Sequence, residues 1–168
     1  MKMIDGLLAE LEQEAQTTRR VLERIPQEHL SWKPHPKSMS LGQLALHVAT
    51  VPGNVAELAA MDMLADPPNI VQPECATAAE LLPSLTESVT KAKLALGGFD
   101  DARMGAMWRL QSGGRDIMAM PRVAFVRAIM LNHWYHHRGQ LLVYLRMLNL
   151  SVPSVYGPTA DENPFAAA

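Results

Sequence analysis

Four segments of the chain repeat apolar residues at the spacing of an amphipathic helix, and this pattern restricts the fold more than any other feature. They cover about residues 4–25, 40–65, 77–97 and 121–149. Each apolar stripe needs the others to bury it, and 168 residues suffice for one domain with a sizeable core. We therefore predict an all-α fold: a four-helix bundle formed by a single domain, residues 1–168, with a long crossover before the last helix.

The second helical segment has the clearest internal signals. Ser40 stands three residues before Gln43, which is the pattern of a capping box at a helix N-terminus. Pro52 and Gly53 interrupt the segment, but the apolar pattern continues to about Ala65. We therefore expect a kinked helix rather than two separate ones, because an internal proline removes one backbone donor without ending the pattern.

Two segments outside the helices have less regular patterns. Residues 99–120 alternate polar and apolar side chains on both sides of Gly113-Gly114, which predicts either a small hairpin with a two-residue turn or an irregular loop. The C-terminal tail, about residues 150–168, contains the proline-rich stretch "SVPSVYGPTADENPF". We expect it to be extended, and either packed on the bundle or loose.

Composition indicates the cellular compartment and argues against nucleic acid and membranes as partners. The formal net charge is -2 and the pI is near 6.3, so a basic face for nucleic acid is not expected. No run approaches the ~18 apolar residues that would span a bilayer, and the N-terminus lacks the pattern of a signal peptide. Cys75 is the only cysteine, which rules out an internal disulfide. These features predict a cytoplasmic protein that binds neither nucleic acid nor a membrane.

A second copy of the chain is the expected macromolecular partner. Charged residues make up only 19% of the sequence, so part of the surface is expected to be covered. Leu131, Trp134 and Leu142 are apolar residues outside the predicted core stripe of the last helix. They predict a homodimer formed through helix faces.

The stretch "LNHWYHHRGQL" concentrates three of the six histidines within the last helix. His133 and His137 are four residues apart and therefore lie on one helix face, in a stripe with Met130 and Leu141 that predicts burial in the core. A buried imidazole without a partner costs about 1–3 kcal/mol. Either a shared metal ion or hydrogen bonds to carbonyls and water would compensate. The spacing alone would also allow His136 as the second ligand, but its own stripe is more polar, which favours His137.

His47 supplies a third imidazole from a different helix. It lies beside the apolar stripe of the second segment, so three rings can point into one bundle core. Three neutral imidazoles leave coordination positions open for water or substrate, as in catalytic metal sites. A histidine satisfied by hydrogen bonds in the core is the alternative for His47 alone. His29 and His35 lie in or beside a proline-rich loop and are expected at the surface.

These motifs resemble the DinB-like (YfiT-like) family of metal-dependent enzymes. The resemblance rests on "LSWKPHPKSMSLGQLALHVA", the "VPG" break, "LNHWYHHRGQL" and "VPSVYGPTADE", which together extend from Leu30 to Glu162. It implies a helical bundle, often dimeric, with a divalent metal held by His47, His133 and His137. Zinc or nickel is favoured for three imidazoles, and iron, manganese or copper is also compatible.

Two functional hypotheses follow from this resemblance. The first is a metal-dependent hydrolase or small-thiol-dependent transferase acting on a small-molecule substrate, in which the ion activates water or a thiol. The second is a non-catalytic metal-binding protein involved in stress response or interaction. No catalytic residue is assigned, and Glu57, Asp161 and Glu162 are only candidates for a general base. We expect the tail from Pro153 to Glu162 to cover a cavity at the metal, and Arg138 to be a structural or interface charge or an anion ligand.

Overall fold

Four long helices form where the apolar residues recur at helical spacing. The computed structural model describes residues 1–67, 69 and 71–166. The first three long helices are α1 (Met3–Leu22), α2 (Leu41–Ala60) and α3 (Leu81–Leu96). The fourth is continuous and consists of α5 (Arg122–Phe125), a π-helical segment (Val126–Asn132) and α6 (His133–Met147), and a short helix, α4 (Asp101–Gly105), precedes it.

The predicted capping box starts α2. The Ser40 hydroxyl accepts the Gln43 N–H at 3.1 Å, and the Gln43 side-chain oxygen accepts the Ser40 N–H at 2.9 Å. These two bonds satisfy orphan donors at the helix N-terminus. Pro52 lies inside the helix, which continues through it to Ala60. The prediction that this proline does not end the helix is confirmed.

The all-α prediction is too narrow, because the segment after α2 and the crossover before the last helix together form a three-stranded sheet. Its strands are β1 (Met63–Ala65), β2 (Met107–Ser112) and β3 (Arg115–Pro121) in the order β1-β2-β3. β2 and β3 are antiparallel, and β1 is parallel to β2. Gly113 and Gly114 form the turn of the predicted hairpin with φ angles of +56° and +75°, which favour glycine. Of the two alternatives for this segment, the hairpin is therefore confirmed.

The second helix ends five residues earlier than the sequence pattern indicated, at Ala60 rather than about Ala65. Its last carbonyls accept hydrogen bonds from side chains of α4 and α5. The buried Arg122 donates to the Ala59 carbonyl at 2.7 Å, and the Arg103 guanidinium donates to the Ala60 carbonyl at 2.6 Å. Such contacts satisfy the free acceptors at a helix C-terminus. Residues 63–65 therefore lie beyond the end of the helix and pair with β2. No local sequence pattern predicts this pairing.

The π-helical segment changes which face of the last helix is buried. A π turn accommodates an extra residue, so the side chains that follow it are rotated relative to an uninterrupted α-helix. Leu131 and Trp134 are fully buried in the core of the chain itself, whereas His133 and His137 are only partly buried. The prediction that these two histidines face the core is therefore wrong. Leu131 and Trp134 also cease to support a dimer interface, and the homodimer stays a prediction.

Arg138 has a structural role in a buried polar network. The residue is 1% exposed, and its guanidinium contacts the Glu14 carboxylate at 2.6 Å, the Thr18 hydroxyl at 3.0 Å and the Tyr156 hydroxyl at 2.5 Å. Tyr156 also donates to Glu14 at 2.9 Å. This network ties α6 to α1 and to the C-terminal tail. Of the alternatives for Arg138, the structural one is supported.

The described part of the tail packs on the helices. Asp161 accepts the Val152 N–H at 2.8 Å and pairs with Arg146, while Glu162 accepts the Ser154 N–H at 2.7 Å and pairs with Arg20. The tail is therefore anchored through its own acidic side chains. Within residues 1–67, 69 and 71–166, no helix is both long enough and apolar enough to cross a membrane.

Candidate metal centre

Three histidines from two helices converge beside the core. His47 comes from α2, and His133 and His137 come from α6. One ring nitrogen from each lies within 4.8 Å of the others, and the two Nε2 atoms of His47 and His133 are 3.1 Å apart. A tetrahedral zinc ion with Zn–N bonds of about 2.0–2.1 Å would place its nitrogen ligands about 3.3 Å apart. The His47–His133 distance is therefore close to that between two ligands of one zinc ion, and the three rings together form a group that could hold a metal ion.

The electrostatics of the cluster keep the imidazoles neutral. Burial, followed by the charges of His137 and His133, lowers the pKa of His47 to about 4. Burial is also the main cause that lowers the pKa of His133 and of His137. Neutral imidazole is the form that binds a metal ion, because the protonated ring has no free lone pair. The three residues are therefore ready to act as ligands at neutral pH.

A glutamine fixes the orientation of the His137 ring. His137 Nδ1 lies 2.8 Å from the Gln140 side-chain oxygen, and Gln140 Nε2 lies 3.1 Å from His136 Nε2. An amide oxygen can only accept a hydrogen bond, so this network assigns the proton to Nδ1 and leaves the lone pair on Nε2. Outer contacts of this kind orient metal ligands. Sequence reasoning gave Gln140 no role, because its position in the polar stripe did not indicate which ring it contacts.

His136 lies outside the three-histidine cluster. Its side chain is exposed, and its Nε2 atom faces Gln140. Spacing alone could not separate His136 from His137, but the structure brings only His137 together with His47 and His133. The exposed His35 accepts the Lys37 N–H at 3.2 Å in its loop and is not part of the cluster.

A cavity of about 420 Å³ opens beside the histidines. His47 and His133 form part of its wall, and the polar groups are Thr50, Asn54 and Gln72. The rest of the wall is mainly apolar and is formed by Val51, Val55, Leu58, Val71, Pro73 and Ile129. This cavity is the pocket expected next to the site.

The three general-base candidates lie elsewhere. Glu57 pairs with Lys91 at 3.1 Å, and Asp161 and Glu162 are held within the tail. Among the described residues that line the cavity, none carries a carboxylate. The tail residues Pro153 to Glu162 are also not among them, so the prediction that the tail covers this cavity is wrong.

Comparison with known proteins agrees with the resemblance noted in the sequence. The model of the DinB family matches residues 1–164. The chain belongs to the DinB family. A curated relative, the uncharacterized protein YrdA of Bacillus subtilis (strain 168), is 24% identical over 168 residues, which cover 95% of this chain and 91% of YrdA.

Solved structures of DinB-like proteins share the fold. One from Bacillus cereus ATCC 10987 has a TM-score of 0.71 and 25% identity, covering 93% of this chain and all of the other. The DinB-like protein YjoA from Bacillus subtilis has a TM-score of 0.66 and 18% identity, covering 89% and 96% of the two chains. The helices that carry the histidines are thus part of a fold found in other DinB-like proteins.

Proposed function

We propose that this DinB-family protein is a metal-dependent enzyme that holds a divalent cation through His47, His133 and His137. The observation that carries the proposal is the convergence of their ring nitrogens within 4.8 Å, beside a cavity that His47 and His133 line. Three protein ligands leave further coordination positions open, which is the arrangement of catalytic rather than closed structural sites. Zinc and nickel suit this set of imidazoles, and iron, manganese and copper are also compatible with it.

Side chains around the site would orient the histidine ligands, keep them unprotonated and bind the substrate. A divalent cation held there would lower the pKa of a bound water or small thiol and so supply a nucleophile near neutral pH. Gln140 holds the His137 ring with Nε2 free, and burial keeps His47 unprotonated. The apolar wall of the cavity would hold the apolar part of a small substrate, with Asn54 and Thr50 available for a polar group.

Thiol transfer is favoured over hydrolysis by the composition of this cavity. Metal-dependent hydrolysis commonly uses a carboxylate to orient the metal-bound water and to move its proton, and no carboxylate lies among the described lining residues. A small thiol ionises far more readily, since the pKa of an ordinary thiol is about 8.5. We therefore propose a small-thiol-dependent transferase as the reaction class, with an electrophile that has an apolar portion as the second substrate.

The proposal is tested first by metal content and then by reactivity. Protein purified without added metal should contain about one divalent ion per chain, and His47→Ala should lose it while the matched variant His35→Ala retains it. Cobalt-substituted protein should change its visible spectrum when a small thiol is added, because an open position is filled. A screen with electrophiles then identifies the transfer. A bound ion whose spectrum no thiol or water analogue alters would instead support the non-catalytic metal-binding alternative.

A further inference from the structure

The proline inside α2 frees a carbonyl that α6 uses. Pro52 has no N–H group, so the carbonyl of Val48, four residues earlier, lacks its helical donor. The indole Nε1 of Trp134 donates to this carbonyl at 2.7 Å. Val48 and Trp134 are both fully buried, so water cannot replace either partner. The carbonyl that Pro52 leaves free in α2 therefore accepts a direct hydrogen bond from α6.

This bond lies next to two of the histidines. Val48 directly follows His47, and Trp134 directly follows His133, so each end of the bond is one residue from a ring of the cluster. Adjacent Cα atoms are 3.8 Å apart, which makes the bond a short bridge between the two helices at the level of the site. We propose that Pro52 and Trp134 are positioning residues that set the spacing of His47 and His133, an inference that rests on the proposed metal centre.

A second set of contacts stabilises the backbone of α2 around Pro52. The Ser88 hydroxyl of α3 accepts the Gly53 N–H at 2.8 Å and donates to the Thr50 carbonyl at 3.1 Å. A Cβ atom on Gly53 would lie 2.9 Å from the Ser88 carbonyl oxygen, so glycine permits this close approach. The backbone of α2 is thus held by α3 on one side and by Trp134 on the other.

The histidine rings cannot set their own spacing in the loaded site. His47 Nε2 and His133 Nε2 are 3.1 Å apart, a distance at which one ring can donate to the other. A cation would take both lone pairs and replace that hydrogen bond. The bond between Trp134 and Val48 involves neither ring, so a cation bound to the rings would not compete with it.

Removal of the indole donor tests the inference, and the chain offers a matched control. Trp134→Phe removes the bond to Val48. Trp108→Phe removes an equivalent bond, since the buried Trp108 donates to the Leu58 carbonyl of the same helix at 2.9 Å, away from the histidines. Both variants should melt at lower temperature than the wild type. In competition with a chromophoric chelator, only Trp134→Phe should bind zinc more weakly, by about tenfold to a hundredfold.

A rescue variant separates positioning from stability. Pro52→Ala restores a backbone N–H that can donate to the Val48 carbonyl within α2. In the Trp134→Phe background it should raise the melting temperature again but leave zinc affinity low, because the carbonyl is satisfied while the link to α6 stays absent. Equal zinc affinity in Trp134→Phe and Trp108→Phe, or recovery of both properties in the double variant, would overturn the inference.

Two further measurements test the positioning role if the wild type binds no zinc or if Trp134→Phe does not fold. If the wild type binds no zinc, the proposed metal centre fails, and the positioning role is decided in the metal-free protein by nuclear Overhauser effects between the His47 and His133 rings. Their loss in Trp134→Phe but not in Trp108→Phe supports the inference, and their survival in both overturns it. If Trp134→Phe does not fold, Pro52→Ala alone should weaken zinc binding by competing for the Val48 carbonyl, and unchanged affinity would refute the role.

Discussion

The contact between Gln140 and His137 makes a specific prediction about metal affinity. Replacing Gln140 by leucine removes the acceptor that lies 2.8 Å from His137 Nδ1 and leaves the ring free to change tautomer and orientation. Loss of an outer partner of a metal ligand costs about tenfold to a hundredfold in affinity, or about 1.4–2.8 kcal/mol. Because Gln140 is exposed and water can partly replace it, we expect an effect near the lower limit, about tenfold.

The assay is zinc affinity measured by chelator competition at neutral pH, with a conservative variant beside the disruptive one. Gln140→Glu keeps an acceptor at the same position, and its negative charge makes the His137 ring a stronger ligand. We therefore expect affinity equal to or above the wild type for Gln140→Glu and a tenfold loss for Gln140→Leu. Because the side chain is exposed, both should melt within a few degrees of the wild type. Equal affinities in the two variants would refute the argument.

Three further predictions concern stability. Chelator should lower the melting temperature of the metal-loaded wild type and leave His137→Ala nearly unchanged, because a ligand that binds only the folded state stabilises it by mass action; equal shifts would remove the ion from the stability argument. The metal-free protein should lose stability as the pH falls from about 6.5 toward 4, since the pKa of His47 is about 4 when folded and the unfolded chain binds more protons in that window; thermal scans against pH that stay flat there would contradict this. Arg138→Met should reduce the free energy of unfolding by about 3–5 kcal/mol, because the Glu14 carboxylate stays buried without its partner, and urea titration showing less than about 1 kcal/mol would place that charge in water.

The sequence predicted the parts of the fold that depend on local pattern. Apolar spacing predicted the four long helices, the Ser40 capping box marked the start of α2, and the glycine pair indicated the hairpin turn. Each of these is determined by neighbouring residues through helical periodicity or backbone conformation. The selection of His137 over His136 also followed from comparing two faces of one helix.

The remaining features depend on contacts between distant segments. Arg103 and Arg122 bind the last carbonyls of α2, and β1 pairs with the edge of β2. The three residues of β1 are too few to carry a strand pattern of their own. The π-helical segment shifted the buried face of α6, so a constant helical period placed Trp134 outside the core stripe, although it is fully buried. The role of Trp134 becomes visible only when its partner, a carbonyl freed by Pro52, is known.

X-ray absorption spectroscopy of the zinc-loaded protein tests the central claim most directly, because it counts the imidazoles bound to the ion. We predict three nitrogen neighbours at about 2.0–2.1 Å from histidine rings, together with a lighter contribution from solvent. His136→Ala should leave the spectrum unchanged, whereas His47→Ala, His133→Ala and His137→Ala should each remove one imidazole or the ion itself. A spectrum that keeps three imidazoles in His137→Ala, or that loses one in His136→Ala, would contradict the proposed centre.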